Sequence, residues 1–214
     1  MRKPILFFGA ILFLYNVTKA QALAYTGQSE FNKSMQNAAI IEYPFTDGTT
    51  LDAINAKFKG LGYSGKDDGD YRLFKGVKLS DIGDSTYDLY FKVERKSKKE
   101  KDKAEVYFII SRGYEKFYAE AGSPDLFNNA KNYLNKLFND VAARDLENQI
   151  AAQEDVVKKA NKKMDNLTDD GKELEKKKDK LEQEIADNKD KATEQQKELD
   201  AQKQILDMLK AKRK

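Results

Sequence analysis

Alternating and seven-spaced apolar residues divide this chain into two kinds of territory. In residues 85–96, Tyr87, Leu89, Phe91 and Val93 alternate with Asp88, Tyr90, Lys92 and Glu94. That period of two predicts a half-buried antiparallel strand. Residues 103–111, KAEVYFIIS, are apolar on both faces, as a central or doubly covered strand requires. Residues 71–79 and the short run 38–45, AAIIEYPF, supply two further strands. Between them, Leu51, Ile54, Phe58 and Leu61 recur at helical intervals. Thr49 and Asp52 have the spacing of a capping box, and Gly60 and Gly62 stop the helix. The stretch 23–37, LAYTGQSEFNKSMQN, has no clear period and reads as a loosely held polar leader. The expected order is β-α-β-β-β-α, an α+β domain over residues 38–143 with helices on one face of a mainly antiparallel sheet.

A second territory begins with a long helix. Ser123 is placed as its N-cap, Pro124 at its first position and Asp125 near its positive end. Phe127, Ala130, Leu134, Leu137, Phe138 and Val141 form a stripe wide enough to cover a sheet. Over residues 144–214 the stripe narrows to a repeat of seven. Its main apolar members are Leu146, Ile150, Val157, Met164, Leu167, Leu174, Leu181, Ile185, Leu199, Leu206 and Leu209. Polar and small residues, among them Gly171, Lys178 and Asn188, interrupt the same positions, so this is a coiled-coil seam with weakened layers.

Thr168, Asp169, Asp170 and Gly171 sit inside that repeat and raise the possibility of a turn. Together they cost roughly 2–3 kcal/mol in helix propensity relative to alanine. Asp170 with Glu173 also has the spacing of a new helix start. The repeat nevertheless passes through 168–171 without losing phase. An uninterrupted helix keeps phase automatically, whereas a hairpin does so only for particular loop lengths. The expectation is one continuous or gently kinked helix of about 130 Å at 1.5 Å per residue, with a helical hairpin as the alternative. Either form needs company for its seam, because an isolated helix exposing such a stripe is poorly stabilised in water.

The N-terminus changes the picture of location. Arg2 and Lys3 precede an apolar run from Ile5 to Val17, followed by Ala20-Gln21-Ala22. This is the layout of a secretory signal peptide over residues 1–22. The run is too short to span a bilayer, which takes about 20 residues, so no transmembrane segment is expected after cleavage. The chain contains no cysteine, which excludes disulfides and thiolate metal sites. An exported protein of this kind suits a bacterial periplasm or the medium. Histidine is absent too, which removes Ser-His-Asp and Cys-His catalysis and the usual zinc and iron ligand sets. Charged residues make up 35% of the chain, yet the formal net charge is only +3. Such balance argues for salt-bridged helical surfaces and against a nucleic-acid partner.

Candidate chemistry is sparse. No catalytic, cofactor-binding or metal-ligating set is identified, and no cofactor is expected. Asp67, Asp68 and Asp70 surround Gly69 but lack the ligand spacing of a calcium loop; a turn before a strand accounts for them. The tip 94–103, ERKSKKEKDK, is basic but diluted by acids, as solvated loops are. If Leu73, Val77, Leu89, Phe91, Val106 and Phe108 face the helices, then Phe74, Tyr90, Lys92, Tyr107 and Ile109 form the opposite face. An aromatic sheet face left open is a candidate surface for a protein or glycan partner. The competing reading has residues 23–37, or a second copy, covering that face to stabilise it.

These features predict an exported, non-enzymatic envelope protein that forms homo-oligomers through its coiled coil and binds a partner through its globular domain. In layout, a small β-containing domain with charged helical arms in an exported, cysteine-free chain is similar to periplasmic holdase chaperones of the Skp type. That resemblance implies a second reading, in which the arms cradle unfolded clients. A carboxylate-based hydrolase is a third.

Overall fold

The computed structural model describes residues 22–212, so the signal-peptide expectation lies outside the described residues apart from Ala22. The chain divides into two compact units, one up to Ile150 and one from Ala151.

The first unit is built on six strands: β1 (Tyr25–Phe31), β2 (Ser34–Tyr43), β3 (Lys66–Asp68), β4 (Tyr71–Lys78), β5 (Thr86–Arg95) and β6 (Ala104–Ser111). They form one sheet in the order β1-β2-β6-β5-β4-β3, and every neighbouring pair is antiparallel. Strand β6 lies centrally, as its two apolar faces require; all its residues are buried except Glu105 and Tyr107, which are partly so.

The polar stretch 23–37 is not a loose leader. It supplies β1 and the first half of β2, and Gly27 pairs with Ala38 while Phe31 pairs with Ser34. Asn32 and Lys33 close the hairpin with φ of 47° and 63°, the double left-handed geometry of a two-residue turn that matches strand twist. Only Ser29 and Phe31 of β1 are buried, so the edge strand carries too few apolar residues to show a period.

Helix α1 (Asp47–Gly60) starts earlier than the Thr49–Asp52 pair suggests. Thr46 is the cap, and its Oγ1 accepts the Thr49 N–H at 3.1 Å; Thr49 already lies inside the first turn. Gly62 takes φ +87° just past the end. Leu61 is the C-cap residue and stays half exposed, while Ala53, Ile54 and Phe58 turn inward.

Helix α2 runs from Pro124 to Ala211. It has no break at 168–171, so no helical hairpin forms. The four poor helix formers are accommodated locally: Thr168 Oγ1 donates to the Met164 carbonyl at 2.9 Å, and Asp169 pairs with Lys172 at 3.0 Å. Within the first unit, Leu126, Ala130, Tyr133, Leu134, Leu137 and Val141 are buried against the sheet, and Phe127 is buried too.

Two apolar layers result. The larger lies between α1, α2 and one face of the sheet, where Phe58 stacks on Phe74 at 4.2 Å and Phe91 on Phe108 at 4.4 Å. The smaller lies on the opposite face and gathers Phe31, Ala38, Ile40, Tyr71, Leu73, Tyr90 and Ile109. Strands β1 and β4 are separated in the sheet by β2, β6 and β5. Even so, Ser29 Oγ and the Tyr71 hydroxyl share a hydrogen bond of 2.5 Å. The sheet therefore curls until β1 meets β4 over the second layer.

Candidate functional site

Of the five residues expected on an open face, three are out of reach. Phe74 is fully buried and lies on the helix side of the sheet, where it replaces Leu73. The cause is a register shift between Phe74 and Val77, with Gly76 at φ +64°. A bulge of this kind adds a residue and resets which side chains share a face. Uninterrupted alternation would place Leu73 with Val77; the bulge places Phe74 with Val77 instead.

Tyr90 and Ile109 do lie on the second face, but it is covered. Phe31, from the end of β1, sits edge-on to Tyr71, Tyr90 and Phe117 at 5.4, 5.2 and 5.1 Å. Phe117 also meets Tyr90 at 5.4 Å. These edge-to-face contacts are the favoured arrangement for aromatic rings. The covering residues Phe31, Tyr71 and Phe117 were not singled out by the sequence pattern. The signal that could have found Phe31 is a lone phenylalanine directly before an Asn-Lys turn.

Lys92 and Tyr107 alone of the five keep partial contact with water. Lys92 Nζ lies 5.4 Å from the centre of the Tyr107 ring and 2.9 Å from Glu94. Its hydrogen bond to Glu94 raises its pKa further above the ordinary lysine value. The Tyr107 hydroxyl donates to Glu105 at 2.8 Å, and Tyr25 reaches the same carboxylate at 3.2 Å. Burial, then the Glu105 carboxylate, push the Tyr107 phenol well above its usual range. The result is a small patch of one ammonium, two phenols and two carboxylates, with a net negative charge.

The basic tip is compensated in part. Lys96 pairs with Glu42, Lys103 with Glu100 at 2.8 Å, and Arg95 with Asp47 at 3.1 Å. In the acidic turn, Asp67 pairs with Arg72 at 2.8 Å. No group of three or more metal-ligating acidic, histidine or cysteine side chains is clustered among the described residues.

The coiled-coil seam is a different kind of surface. Leu146, Ile150, Val157, Met164, Leu167, Leu174, Leu181, Ile185, Leu199, Leu206 and Leu209 are all exposed, from 43% at Ile150 to 65% at Met164. Ala151–Ala211 is helical throughout, and every residue from Gln149 to Lys212 is exposed. Nothing else in the described chain covers the stripe. No helix among the described residues is long and apolar enough to cross a membrane.

No family model matches the chain, and neither a curated protein nor a solved structure matches it.

Proposed function

We propose that this is an exported, non-enzymatic envelope protein held in oligomers by α2, with its first unit available to a protein or glycan partner. The observation that carries the reading is the uncovered seam: eleven large apolar side chains at heptad spacing, none less than 43% exposed. An apolar stripe, even an interrupted one, on an otherwise highly charged helix has one economical solution, burial against other helices in knobs-into-holes packing. The charged residues between the seam positions keep the remaining faces in water.

Export rests on the Arg2-Lys3, Ile5–Val17 and Ala20-Gln21-Ala22 pattern. The absence of cysteine and histidine from the whole sequence supports a binding or structural role, since nucleophilic and general-base chemistry most often relies on them. For the partner of the first unit, burial of Phe74, Tyr90 and Ile109 narrows the candidate contact to Lys92 and Tyr107.

Sedimentation equilibrium of the chain, expressed from Met1 so that any processing takes place, tests the oligomer. At micromolar concentration the expected mass is a small multiple of one chain. A single-chain mass at every accessible concentration would overturn the reading.

A further inference from the structure

We propose that the partner of the α2 seam is a second copy of this chain lying antiparallel to the first. The register sets Ile150 against Leu209 of the second copy and puts the two-fold axis between Asp179 and Lys180. This rests on the oligomeric reading above and adds direction and register to it.

Charge complementarity beside the seam favours this arrangement. In an antiparallel pair, residues just before one seam position face their own kind across the interface, and so do residues just after the other. In this register Lys163 meets Glu198, Asp170 meets Lys191 and Lys177 meets Glu184 along one side. Along the other, Glu147 meets Lys210 and Glu154 meets Lys203. By symmetry each pair occurs twice. Only Glu175 and Glu182 set like charges together.

A shift of one heptad toward the N-terminus loses this agreement, since it brings Lys163 to Lys191, Asp170 to Glu184 and Lys177 to its own copy. The parallel in-register pair does less well than the chosen one. It matches Lys177 with Glu182, Glu184 with Lys189 and Glu198 with Lys203, and it opposes Asp170 to Glu175.

The small and charged seam layers point the same way, although Val157, Met164 and Leu206 then face Gln202, Gln195 and Gln153. A parallel pair stacks Lys178 on Lys178, Gly171 on Gly171 and Ala192 on Ala192, which joins like charges and leaves voids. In the antiparallel register Lys178 lies beside Leu181, where its stem can cover the leucine while the ammonium reaches water. Ala192 meets Leu167, Ala160 meets Leu199, and Gly171 meets Asn188. Small residues thus face larger ones, so that facing layers interdigitate.

The natural absence of cysteine makes the test direct. Leu167→Cys and Ala192→Cys are introduced singly and together in the full chain, followed by mild oxidation. Within one helix the two positions are about 37 Å apart at 1.5 Å per residue, far beyond disulfide reach. Covalent dimers are expected from the doubly substituted chain, and from a mixture of the two single variants, but not from either single variant alone. Self-linking of each single variant would establish a parallel pair and overturn this inference while leaving the oligomer standing. An oligomer that gives no disulfide in the mixture overturns the inference too. A wild-type chain that sediments as a monomer removes the oligomer itself.

A charge swap provides the second readout. Neither Asp170 nor Lys191 has an ion pair within the chain among the described residues. Asp170→Lys should weaken dimerisation on the order of tenfold, two attractions becoming two repulsions. Adding Lys191→Asp should restore it. Tighter association of Asp170→Lys alone would match the parallel pair, which it frees from the Glu175 repulsion, and would contradict the proposal.

Discussion

At the scale of single residues, the first unit depends on tyrosines kept neutral inside it. Burial, with Asp88 adding to it, pushes the Tyr90 phenol up to about 12. Tyr43, whose hydroxyl donates to the Leu134 carbonyl at 2.5 Å, and Tyr133 are raised further, chiefly by burial. A phenol whose folded pKa exceeds its unfolded value of 10 retains its proton in the native state after the unfolded chain has lost it. The stability these tyrosines contribute is therefore complete below pH 10 and is lost as pH rises through the folded pKa. For Tyr90 alone the loss by pH 12 is about 2 kcal/mol. Alkaline titration should show the absorbance of the buried tyrosinates appearing only in a cooperative step together with loss of sheet signal. Smooth ionisation of every tyrosine near pH 10 with the fold intact would contradict this.

At the scale of elements, the β1–β2 hairpin closes the second layer of the first unit. Phe31 is 4% exposed and touches three aromatic rings. Phe31→Ala should cost about 3–5 kcal/mol, read as a lower denaturant midpoint, and should expose Tyr90 and Ile109. A midpoint shift below about 1 kcal/mol would mean that the hairpin is not the cover; surface substitutions change stability by no more than about half that.

This element was also the least legible in the sequence. Its first strand turns only Ser29 and Phe31 inward, and its turn uses Asn32-Lys33 in place of the Asn-Gly that signals such hairpins most strongly. The exchange of Leu73 and Phe74 was hidden for a related reason. A bulge depends on how two strands pair, and a period of two within one strand carries no trace of it. By contrast, β5, β6 and the sheet-covering stripe of α2 were readable, because their apolar residues recur on a fixed period over many positions. The candidate partner face was readable as a face, and of its two readings the structure bears out the one in which residues 23–37 cover it, through Phe31; the share of the cover from Phe117 left no sequence signal.

At the scale of the whole molecule, one helix carries two different apolar surfaces. Up to Val141 its apolar residues are buried in the chain's own core; from Leu146 onward they are exposed. The unbroken phase of the heptads through Gly171 anticipated the continuous helix, since an uninterrupted helix keeps that phase automatically and the propensity penalty at 168–171 is only roughly 2–3 kcal/mol. A long helix of this polarity owes its stability to packing more than to propensity, so its helicity and its association should be one equilibrium. Far-ultraviolet circular dichroism, followed through thermal melts at a series of protein concentrations, measures that coupling directly. The account predicts a helical transition whose midpoint rises with concentration, separate from a concentration-independent transition of the first unit. A helical signal that melts at the same temperature at every concentration would contradict it.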